Sequence, residues 1–436
     1  MKTYQFIFLF IIGILFSQQS ARDISLGGSM VTLSRGVSTV GINPANLAFS
    51  KPTINLINLN TLFYNNLLSM KLYNDLNGSD LENPNSSITK KELIDVLNGS
   101  SFNLYNNLNL HIPGINYSNS RYAITAKLNQ YNEIIAGNGL LRVLFFGNEW
   151  ETESQIDIEA FSKTVIEYGY SSWFNLDGLA FGYTFKYLQG VNLFNIYTLN
   201  ESKPLYTDST GIDLSVILAK EIHLGGSGFG VDLGMLIEES LNGYSFGFSI
   251  TNLFGYINWD KNNLNYSLLG KNVAQAMNLN VNEVEILEFK INNLNTADLM
   301  SESAELADSV VSNTSFNQIL SSKVKTTNYP SVFRFGISKF FKDDFNLSYE
   351  SRTGFESYGI NSVNWIHSLG LEIIRWKLIP LRFGISSGSS LNHRFSFGSG
   401  IHIKPIKLDF GLSWIGSRSF YSANGLEFGF TLTLLN

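Results

Sequence analysis

Residues 406–415 read Ile406-Lys407-Leu408-Asp409-Phe410-Gly411-Leu412-Ser413-Trp414-Ile415. Ile406, Leu408, Phe410, Leu412 and Trp414 fall on one parity, and Lys407, Asp409, Gly411, Ser413 and Ile415 on the other. Successive side chains of a strand point to opposite faces, so this is a strand with one large apolar face and one small or charged face. The pattern returns in Leu426, Phe428, Phe430, Leu432 and Leu434 against Glu427, Gly429, Thr431 and Thr433. It appears again in Ile379, Leu381, Phe383 and Ile385 against Arg382, Gly384 and Ser386. Short polar turns such as Lys342-Asp343-Asp344 and Lys404-Pro405 separate the strands. Residues 329–436 therefore read as a meander of antiparallel hairpins. The solvent that meets the apolar face decides what the chain is.

Composition answers that question. The 436 residues are 44% hydrophobic but only 15% charged, with a formal net charge of -6. Soluble domains carry about 25% charged residues. There are 33 Phe, 20 Tyr and 37 Gly, and after the N-terminus no apolar run is long enough for a spanning helix. Low charge, many aromatics and many glycines on alternating strands suit an all-β transmembrane antiparallel barrel. The mild acidity, with no basic cluster, argues against nucleic acid as a partner. The absence of Cys removes disulfides, thiolate metal sites, cysteine catalysis and N-terminal Cys lipidation. The five histidines have no metal-ligand spacing, and no catalytic elbow, phosphate loop or paired carboxylate stands out, so neither an enzyme nor a cofactor is expected. The glycine-rich run 225–230 lies between strands with no helix after it and reads as a hairpin loop.

Lys2 followed by the apolar run 6–16 and the small residues up to Ala21 reads as a secretory signal peptide, too short to span a bilayer. The next stretch is SLGGSMVTLSRGVSTVGINPANLAF, residues 25–49. Gly27-Gly28 permits positive φ and close backbone approach, and Asn43-Pro44 sets a turn, so a compact turn-rich plug is expected. The Leu26-Gly27-Gly28 and Asn43-Pro44-Ala45-Asn46-Leu47-Ala48 elements resemble the opening of the long-chain fatty acid transporter (FadL-like) superfamily of outer-membrane barrels. That group includes the PorV-like and PorQ-like proteins of bacteria with type IX secretion. Ser34-Arg35-Gly36 departs from the acidic residues common there. The resemblance implies that this segment is a hatch inside a barrel of about fourteen strands. The chain then divides into a signal peptide (1–21), a hatch (22–52) and a barrel (53–436) with inserts at 67–119 and 254–328.

Strands are expected to begin near 53, 120, 155, 177, 206, 229, 243, 329, 343, 364, 379, 393, 405 and 424. With both termini periplasmic, the turns after even strands should be short. Two joins, 131–154 and 190–205, break that rule. Thr89-Lys90-Lys91-Glu92 is a capping box opening a short helix. Residues 102–110 alternate only loosely and suggest a small extra strand. Residues 134–148 read as a helix against the barrel or in the lumen, with a buried strand as the competing reading. A helix-prone run near 272–289 and an acidic run 298–308 fall in the second insert.

With the apolar face toward outer-membrane lipid, the polar face lines the lumen. Its candidates are Arg121, Asp232, Arg334, Glu350, Glu372, Arg382, Arg394 and Glu427, with Lys127, Lys186, Asp213 and Asp409 beside them. Both signs occur, so a lattice of pairs is expected in a narrow lumen. Tyr349, Trp365, Trp376 and Trp414 suit interfacial girdles. The resemblance implies a channel for hydrophobic small molecules, or a barrel that scaffolds secreted or surface proteins on its long loops.

Overall fold

The computed structural model describes residues 20–435 apart from short stretches, the longest being 94–100, 147–151, 200–204, 295–313 and 357–362. The expected signal peptide and the acidic run 298–308 lie outside the described residues, apart from residues 20 and 21.

Fourteen antiparallel strands close a barrel. They are β1 (Thr53–Asn65), β2 (Phe102–His111), β3 (Tyr122–Ala136), β4 (Ile158–Leu176), β5 (Leu179–Thr198), β6 (Ser227–Leu241), β7 (Tyr244–Trp259), β8 (Val332–Phe341), β9 (Phe345–Gly354), β10 (Ile366–Ile373), β11 (Leu381–Ser389), β12 (Asn392–Ile403), β13 (Ile406–Ile415) and β14 (Gly425–Leu435). Each pairs with the one before it, and β14 returns to β1 from Thr53↔Leu435 to Tyr64↔Gly425. The alternation in the sequence becomes two faces. Phe383, Ile385, Phe397, Phe410, Leu412, Leu426 and Phe428 are exposed on the outside, while Arg382, Ser386, Asp409, Ser413 and Glu427 are buried inside. No helix among the described residues is long and apolar enough to cross a membrane.

The strand count is as expected, but it is reached by another route. The loosely alternating stretch 102–111 is a full wall strand, β2, paired from Leu59↔Leu110 to Asn65↔Leu104 with β1 and along its length with β3. Its alternation is blurred because Asn stands on both faces. Conversely, the strands expected at 206 and 229 are one line. Ile212–Leu224 and β6 both run along β5, with Asn192↔Leu224 followed by Gln189↔Ser227, broken only at Gly225-Gly226. Counting β2 moves the two offending joins to the rim that carries the other long connections; the opposite rim has the shorter joins, although the two-residue join between β11 and β12 lies on the long-connection rim.

Above the break the wall continues as a smaller sheet. Ile212–Leu224 pairs with Glu283–Leu294, which pairs with Thr314–Ser321. The stretch expected to lack strands thus holds two, plus Lys325–Asn328 on the end of β7. Helix-prone residues 272–289 split into a helix, Lys271–Met277, and the start of Glu283–Leu294, because the latter finds an open sheet edge to complete. Residues 134–136 end β3, and the helix is Asn138–Phe146. The Thr89/Glu92 capping box forms, with Thr89 N–H donating to Glu92 Oε2 at 2.9 Å; most of the helix it was expected to open lies outside the described residues.

A charge on the lipid face should cost far more than one facing the lumen. Phe397→Arg, in the middle of β12, is expected to lower unfolding stability in lipid bilayers by about 2–4 kcal/mol, measured by urea titration. An unchanged midpoint would mean that this face does not meet hydrocarbon.

Candidate functional site

The barrel is not empty. Residues 20–52 fold into it as α1 (Ala21–Ser25) and two 3₁₀ turns, Gly36–Thr39 and Pro44–Phe49. Gly27 and Gly28 take φ of 65° and 90°, turning the chain after α1 where an L side chain would be strained. Leu26 packs with Met30, Leu33 and Ile42 in a small core of the plug's own. Asn43 caps the second turn by accepting from Ala45 N–H, and its amide donates to Val31 O at 2.9 Å and to Met235 O of β6 at 3.1 Å. Asn46 reaches Val31 O at 3.0 Å, and Pro44 opens the turn, where its missing N–H is no loss. Leu26, Ala45 and Asn46 are fully buried.

The plug lies directly on the wall because the wall has glycines there. A methyl on Gly384 would collide with the backbone of Gly27, one on Gly182 with Pro44 and Ala45, and one on Gly234 with Asn43. Gly411 and Gly429 stand in the same way under Ala21, and Gly247 and Gly336 under Val31. These positions neighbour one another across the strands, as in Gly182↔Gly234, Gly247↔Gly336, Gly370↔Gly384, Gly398↔Gly411 and Gly411↔Gly429. They form a belt of missing side chains around much of the circumference.

Charged residues beside the belt fix the plug. Glu350 of β9 takes Arg334 at 2.8 Å with one oxygen and the amides of Met30 and Val31, at 2.7 and 2.8 Å, with the other. Glu372 pairs with Arg22 of α1 at 2.5 Å and with Arg382 at 2.7 Å, and Arg382 continues to Asp409 at 2.8 Å. Arg394 pairs with Glu427 at 3.1 Å. Across the lumen Lys186 joins Asp232 at 2.9 Å and Glu167 at 3.6 Å, while Lys127 donates to Val40 O of the plug at 2.8 Å. Asp232, Arg334, Glu350, Glu372, Arg382, Arg394 and Glu427 thus all face inward. Arg121 does not: it is exposed, just before β3, where Asn119 Oδ1 caps the turn through Arg121 N–H. Asp213 is likewise exposed, on the sheet above the break. Sequence reading missed Glu167, Arg22, Asp23 and Arg352. Strand parity signals Glu167 and Arg352, whereas α1 residues could be placed only by the fold.

Between plug and wall lies a cavity of about 410 Å³. Val37, Val40 and Ile42 of the plug line it, with Asn55, Asn58, Asn107, Asn109 and Asn129 from β1–β3 and Tyr329, Val165 and Arg352 farther round. Toward the long-loop end, Val165, Leu188, Leu193, Ile257, Trp259 and Tyr329 form a buried apolar cluster. A hydrogen-bonded chain crosses the cavity wall, from Asn129 to Tyr329 OH at 2.8 Å and from Tyr329 OH to Glu167 at 2.9 Å. Among the described residues no group of His, Asp and Glu is arranged to hold a metal.

Burial pushes the Asp23 carboxyl of α1 up to about 7, from 3.8. Arg334 and Arg352 oppose this, and Glu350 and Glu427 reinforce it. An acid held protonated by the folded state stabilises that state at low pH, and the contribution is lost as pH rises through about 7. Plug protection from protease is therefore expected to weaken as pH rises from about 4 to about 7 and to level off above that, and Asp23→Asn should flatten the change. Separately, Gly384→Leu should expel the plug, exposing residues 22–50 to protease while the barrel keeps its heat-modifiable gel mobility. A protected plug in this variant would contradict the belt.

A family described as "Family of unknown function (DUF5723)" matches residues 195–411. No curated protein matches the chain in sequence. The toluene transporter TbuX of Ralstonia pickettii superposes with a TM-score of 0.51 at 11% identity, over 95% of this chain and 98% of that one. A FadL homologue of Pseudomonas aeruginosa gives 0.48 at 12% identity, over 97% and 99%. The closed fourteen-strand barrel with an N-terminal plug is a fold this chain shares with TbuX.

Proposed function

We propose that this protein is an outer-membrane channel of the FadL-like kind, exported by a cleaved signal peptide, with residues 22–52 as the hatch that gates its lumen. The observation that carries the reading is the cavity of about 410 Å³, enclosed by the hatch and β1–β3 within a wall that offers lipid an apolar face. The rim free of the long connections faces the periplasm, and the rim that carries them faces out. TbuX is a toluene transporter. That supports a cargo with a hydrophobic body, as does the Val37, Val40 and Ile42 side of the cavity. The asparagines opposite them suit a polar group on the same molecule.

A second reading has its own support. The hatch is held by Arg22–Glu372 and by the Glu350 contacts, and a sheet stands on the long-loop rim. A permanently plugged barrel would use that rim to scaffold secreted or surface proteins. Vesicles carrying the full-length protein or a form lacking 22–50 separate the two. The channel reading expects uptake of small aromatic compounds to be gated in the first and faster in the second. No uptake by either form, with co-purification of a large secretion assembly, would overturn it in favour of the scaffold.

A further inference from the structure

Among the described residues, Arg352 is a buried cation that the ion pairs of the lumen leave over. It stands on β9 directly opposite Arg334 on β8, in register and facing the same side. Like charges directly opposite on neighbouring strands repel. Arg334 has Glu350 at 2.8 Å, whereas Arg352 has no ion pair of its own among the described residues. It is only 8% exposed, and that remaining surface lines the cavity. Its guanidinium rests against Gly28, so the residue that turns the hatch also leaves room for it. Glu350 and Asp23 act on it electrostatically, but neither forms an ion pair with it, and a buried guanidinium without a direct partner is costly.

We propose that Arg352 is the anchor of a ligand site in the lumen and grips the carboxylate or phosphate group of a small organic anion. A planar guanidinium presents paired donors to two oxygens of such a group. The surroundings fit that ligand. Lys407 lines the same cavity, Asn55, Asn58, Asn107 and Asn109 supply amides for further polar atoms, and Val37 and Ile42 supply apolar contact. Asp23, the acid of α1 that acts electrostatically on Arg352, carries a carboxyl pushed up to about 7 and is an incomplete counter-charge. The proposal rests on the small-molecule reading above and narrows it: the bound species is an anion, not a bare hydrocarbon.

The test uses the full-length protein in detergent micelles, with benzoate and phenyl phosphate as probes and toluene and benzyl alcohol as neutral counterparts. Calorimetry is expected to show binding of one or both anions, weakened about ten- to hundredfold in Arg352→Gln and partly retained in Arg352→Lys. Which anion binds tells carboxylate from phosphate. Without ligand, Arg352→Gln should unfold at the same or a higher urea concentration, because it removes an uncompensated charge. With benzoate or phenyl phosphate, the wild type should gain the most stability, Arg352→Lys less and Arg352→Gln least. Equal binding of neutral and anionic probes, unchanged anion binding in Arg352→Gln, or a loss of ligand-free stability in both variants would overturn the proposal. Transport of the neutral probes into vesicles is independent of Arg352, so failure there would count against the channel and not against this site.

Discussion

Lipid offers no hydrogen bonds, so every wall amide must find its partner within the chain. The ladder between β14 and β1, from Thr53↔Leu435 to Tyr64↔Gly425, is what makes that possible, because it leaves the wall without an edge. Everything else follows from closure. A closed wall has an inside, and the alternation that gives lipid its Phe, Leu and Ile delivers the other half of each strand to that inside. There Arg382, Asp232 and Glu427 are fully buried and are tolerated because each has a charged partner close by.

Closure alone would leave an ill-filled lumen. The glycine belt solves the packing problem from the wall's side, letting plug backbone lie on strand backbone, and Asn43 and Asn46 solve it from the plug's side by meeting exposed carbonyls. The two devices are complementary. Glycine provides contact without direction, and the paired carboxylates Glu350 and Glu372 provide direction, each binding the plug and an arginine of the wall at once.

Much of this was legible in order of strand quality. Where one face is large and the other small, as in β11 to β14, side-chain parity fixes register and facing, and residues such as Arg382 and Glu427 could be placed from sequence alone. Where Asn sits on both faces, as in β2, parity carries little information, and the sequence supports only a small extra strand within an insert. Ile212–Leu224 and β6 were separated because Gly225-Gly226 looks like a turn; only pairing along β5 shows that the line continues. Arg121 was misplaced because its parity belongs to a strand that begins one residue later. The hatch motif pointed to a plug, but the match between its turns and individual wall glycines is a three-dimensional fact with no local signal.

The seat of α1 also carries a consequence for biogenesis. Ala21 N–H donates to Thr431 Oγ1, and α1 rests on β12, β13 and β14, so the first part of the described chain is held by the last. Contacts that span nearly the whole sequence are the slowest to form. The N-terminal segment must therefore wait, untethered, while the wall is being laid down, and it can settle only once the final hairpin is in place. A seated hatch is thus a record that assembly has finished, and a barrel stalled before its last strands would lack both its seam and its stopper.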